Sequence, residues 1–194
     1  MASRYIQLYR GALRARSSQE CALKVERYLG VLQRNQLGVY HREYSSGSAV
    51  LTRLKPEYAR TLLPSFDDPR MKAQFSLSLV HEQNTIALGN TVAIAVTLVD
   101  DKWQRTVFAA TPPLSTYLFA FAILPMHFNT VTRVTSFGLF LQVYAQKSFW
   151  RINIIADLIL DCVELTASIL REPLPMNKID FLVVKRYAIG KRHA

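Results

Sequence analysis

His81 and Glu82 come nearest to a chemical signature in this 194-residue chain. A His-Glu pair opens the H-E-x-x-H pattern, in which two histidines four apart share one helix face and ligate zinc. Here the fifth position is Thr85, and HEQNT closes an alternating stretch, so it reads as a strand end and turn. The other histidines, His41, His127 and His193, lie far apart, and none stands at ligand spacing from Cys21 or Cys162. Asp67 and Asp68 have the types of a paired acid. In PSFDDPR they fit a turn better, because Asp side chains bond the backbone that follows. Walker, G-x-G-x-x-G, G-x-S-x-G, Cys-x-x-Cys and N-x-S/T patterns do not occur. The residues thus offer no catalytic group and no metal ligand set.

Charge is the next candidate for function. Twenty-four Lys and Arg against 14 Asp and Glu give +10, a balance that favours acidic partners such as nucleic acid or anionic lipid. The last residues carry Lys185, Arg186, Lys191 and Arg192, but no aromatic platform with glycines of the RNA-binding type accompanies them. They read as a solvated tail, and no specific nucleic-acid partner is expected. Residues 1–16 hold Arg4, Arg10, Arg14 and Arg16 without the apolar stretch of a secretory leader. The most apolar run, 107–128, is broken by Pro112, Pro113 and Pro125, so it predicts buried strand and no transmembrane segment. Localisation is left open.

The elements that would position any site are mainly strands. Half of the residues are hydrophobic, enough for a sizeable core, and two cysteines are too few for a disulfide framework. Residues 19–34 fit either a short helix or a strand turning at Gly30. From Gly38 onward, GVYHREYSS, AVLTRLK, AQFSLSLVHE, IALGNTVAIAVTLVDD, WQRTVFAA, STYLFAFAI and LFLQVYAQ are rich in Val, Ile, Thr, Phe and Tyr, with turn-forming clusters between them. AQFSLSLV alternates clearly, with Phe75, Leu77 and Leu79 on one face. Seven short strands predict an antiparallel sandwich or barrel-like sheet. After Tyr144 the period changes. Ile152, Ile155, Ile159, Val163 and Ile169 predict an amphipathic helix over 150–170 that Pro173 stops, followed by a strand in KIDFLVVK.

Taken together, LGVYHREYSSG, PEYARTLLPSFDDPRMKAQFSLSLVHEQNTIALGN, TPPLSTYLFAFAI, LFLQVYAQ and PLPMNKIDFLVV resemble the zinc aminopeptidases of the aminopeptidase N type. Order and spacing agree over residues 28–184. The resemblance implies a saddle-shaped antiparallel β-sandwich over residues 1–146, incomplete at its start, and the truncated α/β beginning of a thermolysin-like catalytic domain over 147–194. It also implies that the zinc ligands, the general-base glutamate and the transition-state tyrosine would follow the last residue, so no cofactor is expected in this chain. Family members carry a glutamine and a glutamate before the Ala-Arg segment, and that glutamate helps bind the substrate's α-amino group. Here Arg53 and Lys55 occupy those positions, in Thr52-Arg53-Leu54-Lys55-Pro56. A cation facing a cation at about 4 Å is repelled by roughly 1–4 kcal/mol, depending on the local dielectric.

The functional expectation is an N-terminal, non-catalytic portion of a metallopeptidase that removes N-terminal residues from peptides, inactive alone. The alternative is an interaction module that associates with itself or with a full-length aminopeptidase, driven by apolar surface left uncovered. Peptides are a third class of partner.

Overall fold

The structure, a computed structural model, describes residues 5–10, 14–15, 21–22, 26–44, 47–172 and 174–184. Arg4, Arg16, His193 and the basic tail from Lys185 lie outside them. In chain order the strands are β1 (Tyr5–Arg10), β2 (Arg14–Ala15), β3 (Cys21–Ala22), β4 (Glu26–Val31), β5 (Gly38–Tyr44), β6 (Gly47–Arg53), β7 (Ser78–Glu82), β8 (Thr85–Gly89), β9 (Ala93–Leu98), β10 (Trp103–Phe108), β11 (Phe121–Pro125), β12 (Phe128–Val134) and β13 (Phe140–Gln146). Helix α1 (Ile152–Leu170) and strand β14 (Lys178–Val183) follow. The fold class is mainly β, with mostly antiparallel sheets and a single α-helix among the described residues, as befits a β-sandwich N-terminal domain.

The chain divides into two compact units, one formed by 1–75 and 113–123 and the other by 76–112 and 124–194. In the first, β1 pairs antiparallel with β4 and encloses the short β2–β3 pair. Residues 26–31 are therefore strand, so of the two readings the helical one fails there, and Gly30 does not turn but sits within the ladder opposite Ile6. Strands β5 and β6 form a hairpin from Gly38↔Arg53 to Tyr44↔Gly47, and β11 joins the other edge of β6 through Ala122↔Leu51 and Ile123↔Val50. Val39, Ala49, Leu51, Leu54, Ala59 and Leu62 are buried here.

In the second unit, β10 is the central strand between β7 and β9, both antiparallel to it. The alternation over AQFSLSLV marks a strand that begins later than expected, at Ser78. Before that point Ala73 bridges to Leu114 and the Phe75 ring stacks on Phe119 at 4.8 Å, so the ladder with β10 opens only at Val107↔Ser78. IALGNTVAIAVTLVDD likewise forms two strands. Gly89 ends the first against Phe108, whose ring would lie 3.0 Å from any added Cβ, and the Thr91 hydroxyl donates to the Ala109 carbonyl at 2.5 Å.

The second sheet of this unit has the order β12–β13–β14. β12 and β13 are antiparallel, whereas β13 and β14 run parallel in the register Phe140↔Lys178 to Ala145↔Val183. A parallel pair needs a crossover, and α1 supplies it. One face of α1 buries Ile152 and Ala156 against Val143 and Ala145, with Ile155, Ile159, Val131, Phe181 and Val183 around them. The predicted helical stripe is buried or half-buried as far as Val163, but Ile169 is exposed. The helix ends at Leu170, where Arg171 adopts a left-handed φ of 54° and its N–H bonds the Ala167 carbonyl at 2.9 Å, a few residues before Pro173.

The opposite face of the sheet is polar at one point. Lys178 Nζ donates to an Asp180 carboxylate oxygen and, at 3.0 Å, to the Gly89 carbonyl. Burial raises the Asp180 carboxyl against the pull of Lys178, and its other oxygen is buried without a hydrogen-bond partner. Burial, reinforced by Asp180, also pushes the Tyr144 phenol up, and its hydroxyl donates to Gln142 Oε1 at 2.9 Å.

His81 lies inside this unit, at 3% exposure. Its Nε2 meets the Thr106 hydroxyl at 2.8 Å and its Nδ1 the Thr85 hydroxyl at 2.8 Å, so the ring ties β7 to β10 and β8. Burial lowers its pKa, opposed by the Glu82 carbonyl. The folded state therefore binds fewer protons than the unfolded one, and stability present above the unfolded value near 6.5 is lost as pH falls through the folded value. Asp180, shifted upward, acts in the opposite direction. Thermal or urea unfolding followed from pH 8 to pH 5 should show a loss of stability below pH 6.5 that His81→Gln largely removes. At pH 8 the same variant should cost about 1–3 kcal/mol for imperfectly paired buried hydroxyls.

Candidate functional site

The positions singled out by sequence, Arg53 and Lys55, stand at the end of β6 and in the turn after it, both exposed, with Leu54 buried between them. The Lys55–Pro56 peptide is cis. Beyond it the Tyr58 N–H bonds the Leu54 carbonyl at 2.8 Å, and a 3-10 turn over Ala59–Thr61 buries Ala59. Gly38, at the start of β5, packs against this turn with a φ of 66°. A Cβ there would lie 2.4 Å from the Thr61 hydroxyl oxygen, so both space and conformation require glycine.

Arg53 and Lys55 face different surroundings. Burial raises the Tyr40 phenol, opposed by the charges of Arg42 and, less strongly, Arg53. The Lys55 ammonium lies 5.8 Å from the Tyr117 ring centroid, a cation over an aromatic face. The sequence pattern places Tyr117 within a strand, STYLFAFAI. In the structure Thr116–Leu118 is a 3-10 turn and β11 starts four residues after Tyr117, at Phe121. Alternating hydrophobicity hides that departure, since apolar residues continue through the turn.

Four contacts fix the 113–121 segment relative to the β6 turn. The Asp67 carboxylate, with a wholly buried side chain, accepts from the Thr116 hydroxyl at 2.9 Å and from the Arg60 backbone N–H at 3.1 Å. The Arg60 guanidinium lies 3.5 Å away as counter-charge. Ser115 donates to the Pro69 carbonyl at 2.6 Å, and Ala73 and Leu114 exchange two backbone bonds at 3.0 Å. Thr52, directly before Arg53, completes the frame: its hydroxyl donates to the Phe121 carbonyl and accepts from the Phe121 N–H, both at 3.0 Å.

The turn expected at Asp67-Asp68 is present, but the two acids divide the work. Asp68 caps locally, accepting the Arg70 N–H at 2.9 Å and pairing with its guanidinium at 2.7 Å, contacts that lower its carboxyl pKa. Asp67, in a left-handed backbone conformation with φ 57°, points inward. The arrangement can present a cation and a ring together at a turn. It holds no nucleophile and base in contact.

Zinc, which the resemblance implies for the full-length enzymes, does not fit the groups present. Both ring nitrogens of His81 are taken by threonine hydroxyls, and Glu82 pairs with Lys102 at 3.5 Å. His41 lies 3.8 Å from Glu43. Among the described residues, no three His, Cys, Asp or Glu side chains converge as a ligand set.

Asp67→Ala should remove the acceptor for two donors at once and destabilise the first unit by about 2–4 kcal/mol in urea unfolding. Asp67→Asn, which tolerates the left-handed conformation and keeps one acceptor oxygen, should cost less than half as much.

A family model described as the peptidase M1 N-terminal domain matches residues 6–118, more than half of the chain. Human glutamyl aminopeptidase is 36% identical over 123 residues, 61% of this chain and 13% of the relative. Human aminopeptidase N is 32% identical over 126 residues, again 61% and 13%. The putative aminopeptidase-2 of Caenorhabditis elegans is 29% identical over 168 residues, 84% of this chain and 8% of that protein. The chain thus spans only a small part of the length of the relatives it matches. The matched region contains the turn, the buried aspartate and the segment carrying Tyr117, and on this extent of similarity the chain belongs to the peptidase M1 family, whose N-terminal domain it carries.

Proposed function

We propose that this chain serves as the non-catalytic N-terminal β module of an aminopeptidase N-type peptidase and does not hydrolyse peptides by itself. One observation carries the reading. The turn that the resemblance assigns to recognition of a substrate's α-amino group is rigidly built here, yet it presents Lys55 over Tyr117, with Arg53 two residues earlier. The frame fixes where the Lys55 stem leaves the backbone, and a cation carried there repels an ammonium group placed against it. Peptide hydrolysis in such enzymes also needs a metal-activated water, and among the described residues no three His, Cys, Asp or Glu side chains converge to hold the metal.

The purified 194-residue protein, incubated with equimolar zinc, should retain well under one zinc per chain after desalting, as measured by elemental analysis. It should also show no release of chromophore from alanyl, leucyl or glutamyl anilides above a zinc-only control. Stoichiometric zinc retention with turnover that a chelator abolishes would overturn the proposal.

A further inference from the structure

Positive charge in the first unit is unevenly answered. Between residues 29 and 75 stand seven Lys and Arg against four Asp and Glu. All four carboxylates already lie against a basic side chain. Glu43 meets His41 at 3.8 Å, Glu57 and Asp67 meet Arg60 at 3.3 and 3.5 Å, and Asp68 meets Arg70 at 2.7 Å. Arg53 and Lys55, both exposed, are left with no carboxylate partner among the described residues.

These two cations leave the chain on one side. Leu54 between them is 2% exposed, so in alternating, extended backbone its neighbours both point outward, and the residue before Pro56 is held extended. Alternate residues of such a segment stand about 7 Å apart, a gap that one carboxylate or two adjacent ones can bridge. A tyrosine accompanies each cation. The Tyr40 phenol feels the charges of Arg42 and Arg53, and the Lys55 ammonium lies 5.8 Å from the Tyr117 ring centroid. Arg42, buried with its guanidinium 5.9 Å from the Tyr44 ring, adds to the positive potential around Tyr40. Like charges on one side repel each other, and an anion between them removes that repulsion.

From this arrangement we infer that Arg53 and Lys55, with Tyr117 as a wall, form a binding site for the carboxylates of an acidic peptide. The guanidinium fork matches a carboxylate in two parallel N–H···O bonds, and the ammonium supplies a second, movable donor. The Tyr117 ring offers apolar surface to the methylenes of Asp or Glu, which favours a carboxylate on a hydrocarbon stem over a bare inorganic anion. The net charge of +10 draws acidic chains toward the surface before contact. Both cations stay in water, where ion pairs are weak, so the affinity is on the order of 1–10 mM at low salt. What repels an ammonium at this turn holds a carboxylate. The inference rests on the same reading of the turn, yet binding is measured without zinc or turnover, so each proposal can fail alone.

NMR titration of the isotope-labelled intact chain with N-acetyl-Glu-Glu amide, in about 20 mM salt, should move the Arg53, Lys55 and Tyr117 amide signals most. Raising the salt to about 0.5 M should abolish the shifts. N-acetyl-Gln-Gln amide should bind at least about tenfold more weakly, and inorganic phosphate more weakly than the acidic peptide. Arg53→Gln and Lys55→Gln should each weaken binding at least about threefold and together at least about tenfold, whereas Lys55→Arg should stay within about twofold. Lys72→Gln and Lys147→Gln remove the same charge elsewhere and should change affinity by less than about twofold. All these positions are exposed, and circular dichroism checks that each variant is folded. No saturable shift up to about 50 mM peptide overturns the inference. So does equal binding of the glutamine peptide, or phosphate binding more tightly than the acidic peptide. A loss on Lys72→Gln or Lys147→Gln as large as that on Lys55→Gln overturns it too, since the attraction is then diffuse.

Discussion

A buried carboxylate organises the part of this molecule most relevant to its family. Asp67 has neither solvent nor a fully buried partner to balance its charge; it has the Arg60 backbone N–H, the Arg60 guanidinium and the Thr116 hydroxyl. Desolvating an ion is costly, and the cost is offset only when its acceptor sites are filled in good geometry. That condition brings residues 60, 67 and 116, far apart in sequence, to one place. The position of Tyr117 beside Lys55 follows from it, since the ring belongs to the residue after Thr116.

Much of the fold could be read from the residues, and the readings that failed did so for identifiable reasons. The helix over 150–170 and the strand in KIDFLVVK were visible because period and length were both distinctive. The strand at 26–31 was ambiguous because a short apolar run fits two periods, and its pairing with Tyr5–Arg10 is information from elsewhere in the chain. Phe75 alternates perfectly with Leu77 and Leu79, yet it belongs to a stack with Phe119 and not to the ladder. Tertiary contact overrides local pattern there.

The candidate site was legible in a different way. Arg53 and Lys55 stood out only through resemblance, since an exposed Lys-Pro turn has no signal of its own. Tyr117 was missed because an aromatic in an apolar stretch looks like core. Of the two adjacent aspartates, Asp68 makes the local turn that the sequence implied, while the inward role of Asp67 depends on a partner 49 residues away. His81 shows the reverse case. Its pairing with Glu82 suggested a metal motif on first sight, but its neighbours at 85 and 106 make it a three-way tie between strands, a task for which a neutral imidazole with one donor and one acceptor suits two hydroxyls.

The parallel union of β13 and β14 has a consequence for how the polypeptide assembles. β13 can zip onto β12 as soon as the intervening hairpin closes, but its far edge must wait until residues 147–177 have been made and the helix among them has wound up. Until then the strand is half-dressed, and the ammonium that eventually reaches back to the Gly89 carbonyl is still downstream. Closure of the β12–β13–β14 sheet is thus timed by β14, which seals an edge laid down some forty residues earlier.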